Sequence, residues 1–588
     1  MKAKLKTLGR ALKYVWTKTP IEMFIVTAVS LIEGLLPVSA LVVLKKFVDV
    51  FTANETYAET GLSSASLAVV WILIMIVQYT IPSITTYLLE VTRERCSKEL
   101  SMSIVGKCIS IQGIAHFEDK QFLDINDWLS FTDRSVGPFL YQINDGVKYC
   151  TGFISIFALF ASFEYWISIV LTVSIVPSMI IAQKRSLEKS HQEEALEALS
   201  RKARYYRNTL LSPAAVKEFK LFSFNKLFKH KLLELFSDME ISNVRFQRKI
   251  RNGDILGTSI RIIAIGSIFI FMLGKTRDGT VTIGSFAMYL QSLFQFSNNL
   301  LMIALVWAYF EGSYNYFSKF FNFLAMEDTI DISRSRRMLV ECVEAIRFEN
   351  VSFTYPSGKQ ALRNISFSLK AGERVALVGE NGAGKSTIIK LLLRLYDPSE
   401  GSIYLNDNAI LEYDIASYRC KFSGIFQDFM KYDLTVRENI FSDGSGNDDI
   451  MNEFPGVFPE SELEKLPDGM SSLLGTTLGG VELSGGQWQR LAILRGLAKP
   501  HEVLLVDEPT ASIDPIEESR IFELVFSRNE GITLCVTHRL GSVKEASRII
   551  VLKDGEVVGD GSHNELIVTN DYYNRLYMSQ ASMYESKP

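Results

Sequence analysis

The sequence predicts a polytopic α-helical membrane domain fused to an α/β domain of the phosphate-loop class. Long apolar runs fill the first 325 residues, whereas the remainder has the mixed composition of a soluble α/β protein. Within that remainder, GENGAGKST at 379–387 stands between a short apolar run and a helix-like run. That is the setting of a phosphate-binding loop. At 588 residues the chain is long enough for several domains.

Six stretches of the first half have the roughly 20-residue apolar length that a bilayer-spanning helix needs. We predict spans, with long cytoplasmic helical extensions, at 21–44, 65–88, 137–161, 163–182, 254–274 and 283–308. Ionisable residues fall inside or at the ends of these spans, as they do where helices pack on one another or around a wet cavity. For Glu33 both interpretations stay open. Four aromatic residues likewise fit either the helical core or a cavity wall: Tyr289, Phe294, Phe296 and Trp307.

Charge is unequally distributed among the loops. The loop at 45–64 is short and acidic, whereas those at 89–136 and 183–253 are long and rich in Lys and Arg. The positive-inside rule therefore places both long loops, both termini and the soluble half in the cytoplasm. The sequence thus predicts a multi-pass protein of the cytoplasmic membrane. Short helices carrying Phe117 and Phe219, at the far ends of the long loops, are expected to dock on the soluble half.

These patterns divide the chain into four parts. Residues 1–20 form a basic amphipathic segment typical of the membrane surface. Residues 21–325 form the six-helix domain, 326–342 a linker and 343–580 the nucleotide-binding domain. The net charge of −4 gives no indication of a nucleic-acid partner, and the six scattered cysteines favour a reduced compartment over a disulfide framework.

The phosphate loop predicts binding of a nucleoside triphosphate. Its glycines Gly379, Gly382 and Gly384 let the backbone N–H groups approach phosphate at a helix N-terminus. Lys385 is expected to neutralise phosphate charge, and the Ser386 hydroxyl to bind Mg²⁺. The whole loop is predicted to contact the nucleotide: Gly379, Glu380, Asn381, Gly382, Ala383, Gly384, Lys385, Ser386 and Thr387.

A second motif, VLLVDE at 503–508, reads as a buried parallel strand that ends in two acids. Ligands gather at the carboxyl ends of such strands. We therefore expect Asp507 to hold Mg²⁺ through water and Glu508 to act as general base on the attacking water.

The octet LSGGQWQR at 483–490 resembles the signature of ATP-binding cassette (ABC) proteins, and the other motifs of that family follow in order. The resemblance implies that Tyr355 stacks on adenine and that Gln427 senses Mg²⁺ and the lytic water. It further implies that Asp514 lies in a loop facing the opposite monomer and that His538 reaches the γ-phosphate. The catalytic set is thus Glu508, His538 and Gln427, the metal set Ser386, Gln427 and Asp507, and the cofactors ATP and Mg²⁺.

The signature residues Ser484, Gly485, Gly486 and Gln487 are expected to bind ATP in trans, since Ser and Gly let a helix N-terminus approach phosphate. One chain holds one signature and one phosphate loop, so a homodimer is the simplest assembly. The chain is similar to half-transporters of the type I (type IV-fold) exporter class, and its flanking motifs to lantibiotic and bacteriocin-peptide exporters. The stretch GTTLGGVE lacks the acidic residue usual before the signature, which puts the usual domain-coupling contact in doubt.

The function expected from these features is ATP-driven export of a peptide or amphiphile across the membrane by alternating access. A lipid flippase or multidrug exporter of the same fold is the main alternative. An ATP-gated channel or regulator is disfavoured because the site motifs are intact. A soluble ATPase acting on DNA or ribosomes leaves the six spans unexplained. Importers mostly keep membrane and nucleotide domains on separate chains.

Overall fold

The computed structural model divides into two compact units. One comprises 1–109 and 124–326, and the other 110–123 and 327–588. The second unit thus includes a segment that lies in sequence between helices of the first, within the stretch predicted as membrane domain. The structure describes the following residues: 2–53, 63–119, 122, 132–212, 215–331, 339–442, 450–454, 457–508, 520–521, 523–524, 531–537, 543 and 546–585.

The first unit is helical. Its elements are α1 (Lys2–Lys18), α2 (Pro20–Ala53), α3 (Ser64–Ser110), α5 (Thr132–Ala161), α6 (Tyr165–Leu211), α7 (Val216–Phe222), α8 (Phe224–Arg277) and α9 (Ile283–Leu324). A fourth helix in chain order, α4 (Ala115–Glu118), belongs to the second unit.

Each of the six predicted spans falls on a separate long helix. Four described stretches meet length and composition criteria for a membrane span: Pro20–Thr52, Ser64–Ser110, Phe224–Arg277 and Ile283–Leu324. A shorter apolar stretch covers Tyr165–Ile181. The four longer stretches are long and apolar enough to cross a membrane.

The helices of the first unit enclose an aromatic core. Helix α9 packs against α2, α5 and α6, and its Phe296 and Tyr289 are buried there. The Tyr289 ring stacks on Phe163, with ring centroids 4.5 Å apart. Phe294 and Trp307, by contrast, are 59% and 49% exposed. Of the four aromatic residues left open by the sequence, two are thus core residues and two lie on the surface of the single chain.

The buried Glu33 makes an interhelical pair. Its carboxylate lies 2.8 Å from the Lys148 ammonium of α5 and accepts a hydrogen bond from the Thr85 hydroxyl of α3. A carboxylate among apolar helices is costly unless it is paired, and here it joins three helices. Of the two interpretations that the sequence left open for Glu33, the structure thus shows the pairing between helices. Phe219 of α7 is also buried within this unit, 5.3 Å from the ring of Phe228.

The second unit is an α/β domain with two sheets. A four-stranded antiparallel sheet has the order β2-β1-β4-β5, with β1 Ala345–Thr354, β2 Gln360–Lys370, β4 Glu400–Leu405 and β5 Asn408–Ala409. A six-stranded sheet has the order β10-β9-β3-β8-β7-β6. Its strands are β3 Arg374–Val378, β6 Phe422–Ile425, β7 Val503–Asp507, β8 Ile532–Val536, β9 Arg548–Lys553 and β10 Glu556–Gly561. Strands β9, β3, β8, β7 and β6 run parallel.

The described helices of this unit are α10 (Lys385–Leu392), α11 (Ile415–Cys420), α12 (Val436–Ile440), α13 (Ile450–Glu453), α14 (Glu460–Leu463), α15 (Gly485–Ala498), α16 (His563–Thr569) and α17 (Asp571–Glu585). Strands β7 and β8 are almost wholly buried, as their unbroken apolar runs predict. Trp488 of the signature octet is 1% exposed and packs in the core under α15. This core gives the strand ends a rigid base.

Candidate nucleotide-binding site

The parallel strands bring the predicted site residues to one edge of the sheet. The phosphate loop follows β3, Gln427 comes two residues after β6, and β7 ends at Asp507. Strand β8 pairs with both β3 and β7, so their carboxyl ends are adjacent. Carboxyl ends of neighbouring parallel strands form the crevice in which α/β sheets bind ligands.

The phosphate loop wraps tightly around the start of α10. A Cβ on Gly379 would lie 2.3 Å from the carbonyl oxygen of Leu552, so only glycine fits there. The Lys385 ammonium donates to the carbonyl oxygens of Gly379 at 2.7 Å and Glu380 at 3.0 Å. Burial lowers the pKa of Lys385, and the negative charges of Glu508 and Asp507 oppose that shift. The loop therefore holds a partly desolvated cation beside its N–H groups.

Asp507 at the end of β7 and the following Glu508 lie beside the phosphate loop. Burial raises the pKa of Asp507, and a hydrogen bond from Ser386 acts in the opposite direction. Glu508 has a positive φ of 45°, and its backbone N–H donates to Val536 O at 3.0 Å. A non-glycine residue in this region is strained. The backbone is thus held so that the Glu508 side chain lines the same pocket as the loop.

Tyr355, just after β1, also lines the pocket. Its hydroxyl lies 3.0 Å from the hydroxyl of Thr387, so the ring is tied to the first turn of α10. Phe353 packs on the ring edge with centroids 4.9 Å apart. The turn after Tyr355 is closed by its N–H, which donates to Lys359 O at 2.9 Å.

These residues enclose one cavity of about 740 Å³, large enough for a nucleotide. Of the predicted site residues, those lining it are Tyr355, Gly379, Glu380, Asn381, Gly382, Gly384, Lys385, Ser386, Thr387, Gln427 and Glu508. Ala383 is buried behind the loop.

Sequence reasoning missed four further lining residues: Lys359, Ala361, Val378 and Leu576. Val378 and Lys359 adjoin motifs and were detectable from that proximity. Leu576 lies on α17, nearly two hundred residues after the loop, and no motif marks it.

The signature residues lie elsewhere in the described chain, since the lining of this cavity includes none of them. Ser484 is the N-cap of α15: its hydroxyl accepts from Gln487 N–H at 3.3 Å, and the Gln487 side chain accepts from Ser484 N–H at 2.8 Å. This reciprocal capping box fixes the helix start. Ser484 and Gly485 are exposed there. Asp514 and His538 lie outside the described residues.

Comparison with known proteins agrees with this architecture. Residues 362–511 match the ABC transporter family. The subtilin transport ATP-binding protein of Bacillus subtilis is 32% identical over 78% of this chain and 76% of its own length. The nisin transport ATP-binding protein of Lactococcus lactis subsp. lactis is 26% identical over 98% of this chain and 96% of its own. An ATP-dependent lipid A-core flippase of Coxiella burnetii is 31% identical over 60% of this chain and 62% of its own.

A solved structure has the same fold along nearly the whole chain. A bacterial Atm1-family ABC exporter with ATP bound superposes with a TM-score of 0.82 and 21% sequence identity, covering 98% of this chain and all of the exporter chain. The helical unit and the α/β unit thus form a known combination, a membrane domain fused to a nucleotide-binding domain. The chain belongs to the ABC transporter family. It binds ATP and couples its hydrolysis to transport.

Proposed function

We propose that this protein is one half of a homodimeric exporter that moves a peptide or amphiphilic cargo out of the cell. One observation carries the proposal: membrane-length apolar helices and a nucleotide-sized cavity occur in a single chain. The proposed topology has six spans, one on each of α2, α3, α5, α6, α8 and α9. It puts both termini and the α/β unit in the cytoplasm, in line with the basic long loops.

The pocket residues have distinct roles in ATP hydrolysis. Tyr355 stacks on adenine, while the loop N–H groups and Lys385 hold the phosphates. Glu508 orients the attacking water and accepts its proton, a role that its position in the pocket allows. Gln427 lies in the same pocket, from which its side chain would contact that water. His538 reaches the γ-phosphate and Asp514 faces the second chain, roles supported by the motif order alone.

The donor set fits Mg²⁺. Ser386 and Asp507 are hydrogen-bonded to each other, and Gln427 lies in the same pocket as Ser386. Hydroxyl, carboxylate and amide oxygens suit this hard cation, which takes few protein ligands when phosphate supplies others. Within the described residues no cluster of three or more His, Cys, Asp or Glu side chains forms a metal site, so phosphate oxygens would complete the shell. When bound, Mg²⁺ neutralises charge on the β- and γ-phosphates.

Two chains complete each site. The exposed signature helix start presents N–H groups and a positive helix end, which suit the phosphates bound by a second copy. Closure of the dimer by two ATP molecules then drives alternating access, and hydrolysis resets it.

The cargo is best sought among peptides. The subtilin and nisin transport proteins match most of this chain, which favours a peptide of the lantibiotic type. A lipid is the second candidate, favoured by the lipid A-core flippase match.

Reconstitution in proteoliposomes tests the proposal. Vesicles with outward-facing cassettes are given ATP and Mg²⁺ and either a labelled lanthionine peptide or a fluorescent lipid. We expect ATP-dependent peptide uptake. The Glu508→Gln protein should still bind ATP but hydrolyse it at least about a hundredfold more slowly, since general-base catalysis contributes that much or more. Near-normal hydrolysis would contradict the role of Glu508, and lipid movement without peptide uptake would favour the flippase.

A further inference from the structure

The segment 110–123 is bound to the α/β unit through its backbone. The N–H groups of Gln112 and Gly113 both donate to the Asp328 carboxylate, and Ile114 N–H donates to Leu395 O at 3.1 Å. The Arg419 guanidinium donates to the side chain and the carbonyl of Gln112, both at 2.9 Å. These bonds fix the position of α4. The short helix that carries Phe117 thus belongs to the α/β unit, as expected, and the Phe117 ring packs on Phe122.

Glu118, the last residue of α4, makes two further side-chain contacts. One carboxylate oxygen lies 2.8 Å from the Lys390 ammonium, and the other accepts from the Tyr396 hydroxyl at 2.5 Å. Partial burial favours the neutral acid, but the bonds from Lys390 and Tyr396 outweigh it and lower the pKa of Glu118. Burial and the Glu118 carboxylate raise the pKa of Tyr396. Glu118 is therefore an ionised acceptor for two donors.

Both donors contact the proposed adenine-binding ring. The Lys390 ammonium lies 5.4 Å from the centroid of the Tyr355 ring and 5.9 Å from that of Tyr396. The two rings meet edge to face, 5.6 Å apart at 86°. A cation at this distance is attracted to the face of an aromatic ring. Glu118 thus fixes both groups that border Tyr355 on this side.

We propose that Glu118 positions the Tyr355 ring for adenine through Lys390 and Tyr396, so that a segment outside the cassette sequence contributes to nucleotide affinity. This inference rests on the adenine-stacking role proposed for Tyr355. Without the carboxylate, the Lys390 ammonium and the Tyr396 hydroxyl lose their shared acceptor. The Tyr355 ring then loses the two groups that hold it in position. Affinity for the base then falls, while the phosphate loop still binds phosphate.

The Glu118 and Lys390 side chains are 45% and 30% exposed. A pair this exposed contributes little to folding, so substitutions there leave the unit folded. A matched pair lies elsewhere in the same unit, where Glu502 is 2.6 Å from Lys421 and also accepts from Val343 N–H at the same distance. Glu502→Gln therefore serves as the control.

The test measures binding of ATP and of inorganic tripolyphosphate, which lacks a base, to the detergent-solubilised full chain in a Glu508→Gln background. Glu118→Gln and Lys390→Gln should each weaken ATP binding about two- to fivefold, the effect of one cation–π contact, and leave tripolyphosphate binding unchanged. The double variant should lose no more ATP affinity than Glu118→Gln alone, because loss of the carboxylate already frees Lys390. Glu502→Gln should leave the affinity for both ligands unchanged.

Three results would overturn the inference: unchanged ATP affinity in Glu118→Gln, equal weakening of both ligands, or additive losses in the double variant. Tyr355→Ala separates the inference from the proposal on which it rests. If that variant keeps full ATP affinity, the adenine role of Tyr355 fails and the inference fails with it. If Tyr355→Ala weakens ATP binding and Glu118→Gln does not, only the inference fails.

Discussion

Gly384 illustrates how single residues determine the nucleotide site. Its φ of 104° lies in the region that glycine adopts without steric cost. A Cβ there would meet the Leu362 side chain at 2.6 Å and the backbone oxygen of Ala361 at 2.9 Å. Because Gly384 has no side chain, β2 can approach the loop closely. The motif predicted this glycine, but its contact with β2 required the fold.

Gly384→Ala should therefore lower the stability of the α/β unit by more than about 1–3 kcal/mol, the cost of a strained backbone alone, because the added Cβ also overlaps β2. It should also weaken ATP binding through displacement of the loop. Gly382→Ala is the comparison. Gly382 also has a positive φ, of 87°, but no atom lies within 4 Å of its Cβ position. Thermal unfolding with and without ATP measures both effects. Equal losses for the two variants would rule out the overlap with β2 as the cause.

At the scale of the element, α15 carries both structure and function at its first turn. The capping box of Ser484 and Gln487 satisfies N–H groups that a helix start leaves without partners. An identical arrangement caps α12, where Thr435 pairs with Glu438. The serine of the signature thus has a local structural role in addition to the proposed contact with a second chain.

Ser484→Ala and Thr435→Ala should each destabilise the α/β unit by about 1 kcal/mol, the typical loss for a helix cap. Only Ser484→Ala should also lower ATP hydrolysis beyond what that destabilisation explains, since Thr435 is not part of the signature. Unfolding curves and steady-state hydrolysis at saturating ATP separate the two effects. An equal fall in ATP hydrolysis for Thr435→Ala would mean that Ser484 acts only as a helix cap.

At the scale of the whole molecule, the proposed ATP site would draw on two chains. The cavity brings together the phosphate loop, Gln427 and Glu508, whereas Ser484 and Gly485 lie exposed on α15. A homodimer related by a two-fold axis would supply each pocket with the signature of the other chain. This arrangement is testable without a structure of the dimer.

Lys385→Ala disables the phosphate loop, and Gly485→Glu puts a negative charge where the signature would meet phosphate. The latter should fold, because no atom lies within 4 Å of the Gly485 Cβ position. Each variant alone should be inactive. Co-expression of the two variants should restore up to about a quarter of the ATP sites. Half of randomly formed dimers are mixed, and in each mixed dimer one of the two sites is intact. An inactive mixture that contains mixed dimers would contradict a shared site.

The sequence by itself determined the parts that depend on local order. A strand, a glycine loop and a helix in succession specify a phosphate site, and a buried strand that ends at Asp507 predicts an acid at the ligand-binding edge of the sheet. Gln427 was assigned from the order of the family motifs. Apolar length likewise predicted the long helices of the first unit.

Only the tertiary structure decided which residues distant in sequence touch. It paired Glu33 with Lys148 and buried Phe296 while exposing Phe294. It also assigned 110–123 to the α/β unit and brought Glu118 to Lys390. The physical reason is that such contacts depend on packing between segments hundreds of residues apart, whereas motifs and periodicity report only on neighbours along the chain.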